Sequence, residues 1–224
     1  GKTVRDVRIV RSVVDAMDPY TDFEAFLAAA RDEELRFVVS NTTEAGIALN
    51  EGDRLEDAPP ASFPAKVTRL LWERYRALGG RAGTGLIFLP CELIDGNGRQ
   101  LEACVREMAR RWTLGDGFMA YLERENVFCS TLVDRIVTGY PREEASALCA
   151  ELGYEDALID TGEPFGLWVI EGPESVAEQF PLDKAGCPVV FTRDVTPYRT
   201  RKVRMLNGAH TTIVCAGYLA GLDT

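Results

Sequence analysis

The stretch at residues 199–210, RTRKVRMLNGAH, holds the densest group of side chains able to carry out chemistry. If it is an α-helix, Lys202, Asn207 and His210 fall within an arc of about 140°, at ~100° per residue. A lysine amine can exchange a proton with a substrate oxygen, and asparagine and histidine N–H groups can stabilise developing negative charge. A basic helical turn is more often a solvated surface, so the spacing alone keeps a catalytic and a structural interpretation open.

Polar groups also follow two predicted strands. Residues 40–46, SNTTEAG, come after the apolar run 35–39, and residues 90–98, PCELIDGNG, come after the run 85–91. Ligands of doubly wound sheets bind beyond the carboxyl ends of the strands, so both segments are candidate binding loops. Ordinary strand-end turns, in which polar side chains cap the backbone, account for them as well.

A further candidate is the pair Asp134 and Arg135, which lies inside the apolar stretch 127–137. Two opposite charges in such a stretch cost free energy unless they pair with each other or serve a ligand. A structural ion pair is the simpler interpretation of this pair.

The elements that must position these groups alternate between short β-rich runs and longer segments of helical period. This alternation predicts an α/β fold with a doubly wound, mostly parallel sheet. Strands are predicted at residues 8–14, 35–39, 85–91, 165–170 and 189–192, and residues 127–137 are predicted to be extended. Helices are predicted at residues 22–30, 63–78, 99–112, 117–125, 142–152 and 196–220. Thr21 or Asp22 caps the first helix, and Thr196 caps the last, with Pro197 at its first position.

Composition and charge narrow the classes of partner. The 224 residues include 25 Lys and Arg against 35 Asp and Glu, a net charge of −10, which on average repels a nucleic-acid backbone. The apolar runs are far shorter than the ~20 residues of a membrane span, and residues 1–6 lack a signal-peptide pattern. Six cysteines without C-x-x-C spacing indicate reduced thiols. We expect a cytoplasmic protein with a small-molecule partner, no nucleic-acid or membrane partner, and no metal site.

Four ordered segments together resemble one known family. They are SNTTEAG at 40–46, FLPCELID at 88–95, STLVDRIVTGYP at 130–141 and RKVRMLNGAH at 201–210. In combination they are similar to the mannitol dehydrogenases, also called polyol-specific long-chain dehydrogenases. The resemblance implies a Rossmann-like nucleotide-binding domain over residues 1–194, followed by the first helix of an all-helical substrate domain over residues 195–224.

The resemblance also implies that parts of the family's chain are missing here. Family members open with a glycine-rich βα unit and close with further helices, and this sequence contains no G-x-G-x-x-G. We therefore expect the chain to be a middle portion that is truncated at both ends. The first βα unit and the rest of the helical domain would lie outside it.

An activity follows from the same resemblance. It implies NAD as the cofactor, no catalytic metal, and the interconversion of D-altronate and D-tagaturonate in hexuronate breakdown. The family's K-x-x-x-x-N-x-x-H signature coincides with Lys202, Asn207 and His210. On this basis Lys202 is the general base, Asn207 polarises the carbonyl and His210 orients the sugar.

Binding residues are carried over in the same way. The residues expected in the nicotinamide pocket are Asn41, Thr42 and Glu44. A sugar acid also needs a cation for its carboxylate, a role suited to arginine. The substrate-binding candidates are Asp134, Arg135, Arg199 and Arg201.

One departure from the family concerns stabilisation of the substrate oxygen. Family members carry a second asparagine in a Cys-Asp-Asn or Cys-Glu-Asn triplet, whereas this chain has Cys91, Glu92 and Leu93. Because a leucine donates no hydrogen bond, Asn207 must polarise the carbonyl alone or with another residue.

Other functions stay open on sequence grounds. Within the family, fructuronate and polyol dehydrogenases are alternatives. A Schiff-base lyase that acts on a keto sugar acid through Lys202 belongs to a second class of enzyme. A non-catalytic module that binds a sugar acid is a third reading. The oligomeric state is also open, with a monomer expected.

Overall fold

The computed structural model describes residues 6–222, so the terminal residues 1–5 and 223–224 that entered the sequence predictions lie outside it. The first sheet has three parallel strands in the order β1-β2-β3. Their bounds are β1 Phe37–Ser40, β2 Ile87–Pro90 and β3 Val127–Phe128. The carboxyl ends of β1 and β2 therefore meet at one edge.

A second sheet continues from the first, with only Cys129 between β3 and the next strand. Its order is β4-β7-β8, with β4 antiparallel to β7 and β7 parallel to β8. The bounds are β4 Ser130–Asp134, β7 Leu167–Glu171 and β8 Val189–Thr192. β5 Val137–Gly139 and β6 Thr161–Gly162 form a small antiparallel sheet of two strands. The stretch 127–137, predicted to be extended, contains β3, β4 and the first residue of β5, because the chain changes partner from β2 to β7 at Cys129 and leaves the sheet after Asp134.

Six helices precede the carboxyl-terminal one. They are α1 Phe23–Arg31, α2 Phe63–Leu78, α3 Asn97–Arg111, α4 Asp116–Glu125, α5 Ala145–Leu152 and α6 Glu174–Gln179. The Asp22 side chain caps α1 by accepting from the Ala25 N–H at 2.9 Å, and Ser62 caps α2 in the same way. Gly79, with φ of 66°, ends α2 in the left-handed conformation. Helix α2 has the predicted bounds, whereas the short α6 and β6 are not among the predictions.

The core lies on both faces of β2. Since successive side chains of a strand point to opposite faces, Phe88 packs into a cluster formed mainly by α2, α3 and α4. Ile87 and Leu89 pack on the other face, with Ile170 and Val176. The predicted α/β architecture with a mostly parallel sheet covered on both sides is confirmed.

Residues 8–14, predicted as a strand, have no regular structure, and their apolar side chains are exposed, Val14 to 94%. That prediction is wrong for this structure, because no strand among the described residues offers this segment hydrogen bonds. None of the helices described here combines the length and apolar character that crossing a bilayer requires.

The carboxyl-terminal helix is continuous but not uniform. It consists of α7 Thr196–Arg201, a π-helical segment Lys202–Asn207 and α8 Gly208–Leu219. The predicted cap at Thr196 is wrong, because Thr196 is already helical and its N–H donates to the Asp194 carboxylate at 2.9 Å. Hydrogen bonds from the side chain of Thr196 and from its backbone N–H lower the pKa of the Asp194 carboxyl.

Candidate active site

A cavity of about 490 Å³ opens between the end of β4, the start of β7 and the carboxyl-terminal helix. Its polar lining residues are Asp134, Arg201, Lys202 and His210. Its apolar wall is formed by Leu132, Leu167, Tyr198, Met205, Leu206, Ala209 and Ile213. Four of the side chains predicted to take part in catalysis or substrate binding thus line one cavity.

Lys202 is the most firmly held of these side chains. Its Nζ lies 3.0 Å from Asp134 Oδ1 and donates to the Val133 carbonyl at 2.7 Å. The Lys202 and Asp134 side chains are only 15% and 16% exposed. A largely buried charge pair persists when hydrogen bonds satisfy both partners, as they do here for the ammonium. The amine is therefore fixed at the carboxyl end of β4. Asp134, for which an ion pair with Arg135 was the simpler prediction, pairs with Lys202 instead.

The π-helical segment changes the geometry that a regular helix would give. Lys202 and Asn207 are its first and last residues. In a π-helix each hydrogen bond spans five residues, so positions i and i+5 come closer to one face than they do in an α-helix. Such segments occur frequently at functional sites. No residue type signals one, and a sequence reading at 100° per residue misses it.

Asn207 and His210 are exposed on this helix. His210 lines the cavity, whereas Asn207 is not among its lining residues. The structure thus brings Lys202 and His210 to one space and leaves Asn207 beside it.

The remaining two arginine candidates are engaged elsewhere. Arg199 forms an ion pair with Asp95 and lines a much smaller neighbouring cavity, about 20 Å³, between β4 and the loop after β2. Arg135 donates from Nε to the Phe165 carbonyl at 2.8 Å. Neither of them lines the cavity that contains Lys202.

The loop after β1 carries the three residues predicted to bind the cofactor. Asn41, Thr42 and Glu44 are exposed at the carboxyl end of the strand. The backbone N–H and hydroxyl of Thr42 both donate to the Glu92 carboxylate, at 3.1 and 2.9 Å. The hydroxyl of Ser40 donates to the same carboxylate at 3.0 Å. The buried Glu92 therefore fixes the loop after β1 to the loop after β2.

Sequence reasoning missed the role of Asn97, which it treated as part of a turn signal. This side chain is fully buried. Its Nδ2 donates to the carbonyls of Pro90, Glu92 and Thr131 at 2.8 to 3.0 Å, and its Oδ1 accepts from the Thr131 N–H at 2.9 Å. Asn97 joins the end of β2 to the start of β4. The available signal was an amide placed soon after a predicted strand end.

The next residue shows why these two segments approach so closely. A Cβ at Gly98 would collide with the Cys129 carbonyl, so glycine is required at that position.

Among the described residues there is no group of three or more His, Cys, Asp or Glu placed to hold a metal ion.

The parallel strands, the loops at their carboxyl ends and the helices on both faces define an α/β protein of the Rossmann type. The mannitol dehydrogenase Rossmann domain matches residues 1–184, and the mannitol dehydrogenase C-terminal domain matches residues 194–224. The chain belongs to the mannitol dehydrogenase family. The Rossmann-like fold and the family predicted from the four segments are confirmed.

Several similar curated proteins are named altronate oxidoreductase. Altronate oxidoreductases of Klebsiella pneumoniae (strain 342) and Yersinia enterocolitica are both 54% identical to this chain over all 224 residues. The altronate oxidoreductase of Escherichia coli O1:K1 is 50% identical over the same length. The match covers 46% of each relative, so the chain spans about half the length of the curated relatives it matches.

Two solved structures share the fold. A substrate-free D-sorbitol dehydrogenase superposes with a TM-score of 0.70 at 28% identity, covering 90% of this chain and 43% of that one. The Pseudomonas fluorescens mannitol 2-dehydrogenase, solved as a ternary complex with NAD and D-mannitol, gives 0.66 at 23% identity, covering 91% and 42%.

Proposed function

We propose that this chain belongs to an NAD-dependent oxidoreductase that interconverts D-altronate and D-tagaturonate. The relatives named altronate oxidoreductase, 50–54% identical over the whole chain, support the substrate. The observation that carries the chemistry is the Lys202 amine, held by Asp134 and the Val133 carbonyl at the wall of a cavity.

The cofactor site is proposed at the carboxyl edge of β1 and β2, where dinucleotides bind in this class of sheet. The residues there fit NAD, because Asn41 and Glu44 offer exposed polar side chains beyond the end of β1. NAD, when bound, supplies the hydride acceptor for oxidation and, as NADH, the donor for reduction. Thr42 shapes this loop, since its N–H and hydroxyl are both committed to Glu92.

The proposed proton transfer uses Lys202. During oxidation, the neutral amine takes the proton of the substrate hydroxyl, and during reduction the ammonium returns a proton to the carbonyl oxygen. Asp134 and the Val133 carbonyl keep Nζ in place throughout. Asn207 and His210 donate hydrogen bonds to the substrate oxygens, which stabilises the charge that develops on them.

The contacts of Lys202 favour this acid–base role over Schiff-base chemistry. A protonated Schiff base keeps a single N–H on Nζ, so a lysine that formed one would lose at least one of its two contacts, with the Asp134 carboxylate or with the Val133 carbonyl. In proton transfer, Nζ can keep both contacts.

A cytoplasmic location, a monomeric state and a domain division between residues 194 and 195 remain predictions.

The test is oxidation of NADH with D-tagaturonate by the protein as its gene encodes it. Lys202→Ala should lower kcat by about 10² to 10⁴, as loss of a general acid or base does. The matched control is Lys184→Ala, which removes an exposed lysine. Unchanged activity in Lys202→Ala would reject the proposed base. Faster turnover of D-fructuronate or a polyol would show that the enzyme has the substrate specificity of another member of the family.

A further inference from the structure

We infer that Arg201 is the residue that recognises the carboxylate of a sugar-acid substrate and so distinguishes it from a neutral polyol. The inference rests on the proposed function and deepens it. Three arginines were candidates on sequence grounds, and the structure gives them very different surroundings.

Arg201 is the candidate that lines the cavity shared by Lys202 and His210. It directly precedes Lys202 in the chain and is exposed. A substrate whose oxygen reaches the Lys202 amine therefore lies in the same space as the Arg201 side chain. A guanidinium binds a carboxylate through two parallel N–H donors, which makes arginine well suited to this recognition.

The charges of the cavity point to an anionic ligand. Its charged lining residues are Asp134, Arg201 and Lys202. Asp134 is already paired with Lys202 at 3.0 Å. Within the described residues, Arg201 has no acidic partner, so its positive charge is available to pair with a ligand. A neutral polyol would leave that charge without a counterion, whereas a sugar acid supplies one.

The other two arginines have partners that occupy them. Arg199 pairs with Asp95 beside the small cavity. Arg135 donates to backbone carbonyls of the segment before β7, Phe165 at 2.8 Å among them. For either residue to bind substrate, it would have to leave these contacts and reach a cavity that it does not line.

The experiment measures binding by calorimetry with two ligands, on the protein as its gene encodes it. The ligands are D-altronate and D-altritol, which has CH₂OH in place of the carboxylate. Arg201→Gln should raise Kd for altronate about 10- to 100-fold, the loss expected for a charge-assisted hydrogen-bond pair, and leave Kd for altritol within about twofold. Arg201→Lys should restore part of the preference for altronate over altritol, because it keeps the positive charge but lacks the two parallel N–H donors of a guanidinium.

The matched control is Arg204→Gln, which removes an exposed arginine of the same helix that does not line the cavity. Equal losses for both ligands in Arg201→Gln, or no loss, would overturn the assignment. A selective loss in Arg199→Gln or Arg135→Gln instead would overturn it as well.

Binding and turnover separate this inference from the proposed function. Arg201-dependent binding of altronate without any NAD-linked turnover would support the assignment and reject the redox activity. NAD-linked turnover with an altronate KM that Arg201→Gln leaves unchanged would reject the assignment alone.

Discussion

Two long helices of this chain bury very different amounts of surface. Helix α2 has its own caps and a buried face of eight residues. The carboxyl-terminal helix, from α7 through the π-helical segment to α8, has no buried residue in its described part. It is attached through the partly buried Tyr198 and the Lys202 contacts. Stability therefore resides in the first helix and its sheet, whereas the proposed chemistry depends on a few polar contacts of the second helix.

The largest expected effect on stability is at Arg74 of α2. This guanidinium is almost fully buried and donates to the carbonyls of Ala30, Asp32, Leu35 and Thr84 at 2.5 to 3.0 Å. Arg74→Met leaves those acceptors unpaired, so the free energy of unfolding should fall by about 3 kcal/mol or more. Urea unfolding measures it. Arg76→Met, which changes an exposed arginine of the same helix, should cost less than about 0.5 kcal/mol. Equal losses in the two variants would contradict the role given to the buried face of α2.

A smaller loss is expected at Asn97. Asn97→Asp keeps the size of the side chain but replaces the amide donor, which faces three carbonyls, with an acceptor. The free energy of unfolding should fall by about 2 kcal/mol, with reduced activity because the loops after β2 and β1 are coupled through Glu92. The exposed Gln179→Glu is the matched change of amide to acid. A fully stable Asn97→Asp protein would show that this junction is not required.

Asp134→Asn should affect activity more than stability. The variant keeps the shape of the side chain but removes the charge that pairs with Lys202. We expect a loss of about 1 kcal/mol in unfolding free energy, since the pair is largely but not fully buried, and a 10- to 100-fold lower kcat. Steady-state kinetics and urea unfolding on one preparation test both parts. A loss of stability as large as that of Arg74→Met, with kcat unchanged, would contradict the division of roles.

The smallest expected effect is a difference in thiol reactivity, which can be measured without disturbing the fold. Burial raises the pKa of the Cys129 thiol to about 12, whereas Cys215 on α8 is exposed. Because the thiolate is the reactive species, iodoacetamide at pH 8 should modify Cys215 and spare Cys129 in the native protein. Peptide mass mapping gives the answer. Rapid labelling of Cys129 would show that the junction between the two sheets opens readily.

The sequence predicts the self-contained parts of this fold well. The bounds of α2 follow from Ser62, from its apolar face and from Gly79, which are all local signals. The bounds of β8 agree as well, at Val189–Thr192. Features that depend on a partner elsewhere in the chain are harder to predict. The break at Cys129 reflects a change of neighbouring strand. Residues 8–14 have the composition of a strand but no regular structure, because no strand among the described residues pairs with them.

The candidate site was predictable as a set of residue types but not as an arrangement. Spacing brought Lys202 and His210 together, and they do line one cavity. The pairing of Lys202 with Asp134 joins residues far apart in the chain, which no local pattern encodes. The π-helical segment likewise has no residue signature, so the relation of Lys202 to Asn207 needed coordinates.

The most direct test of the central claim is chemical rescue of Lys202→Ala by a small amine. If the anchored Lys202 amine transfers the substrate proton, added ethylamine should restore NADH oxidation with D-tagaturonate in proportion to the concentration of free amine. Arg204→Ala, which lacks an exposed side chain of the same helix, should show no such dependence. Wild-type activity in Lys202→Ala without amine, or a substrate adduct trapped on Lys202 by borohydride in the unmodified protein, would contradict the account.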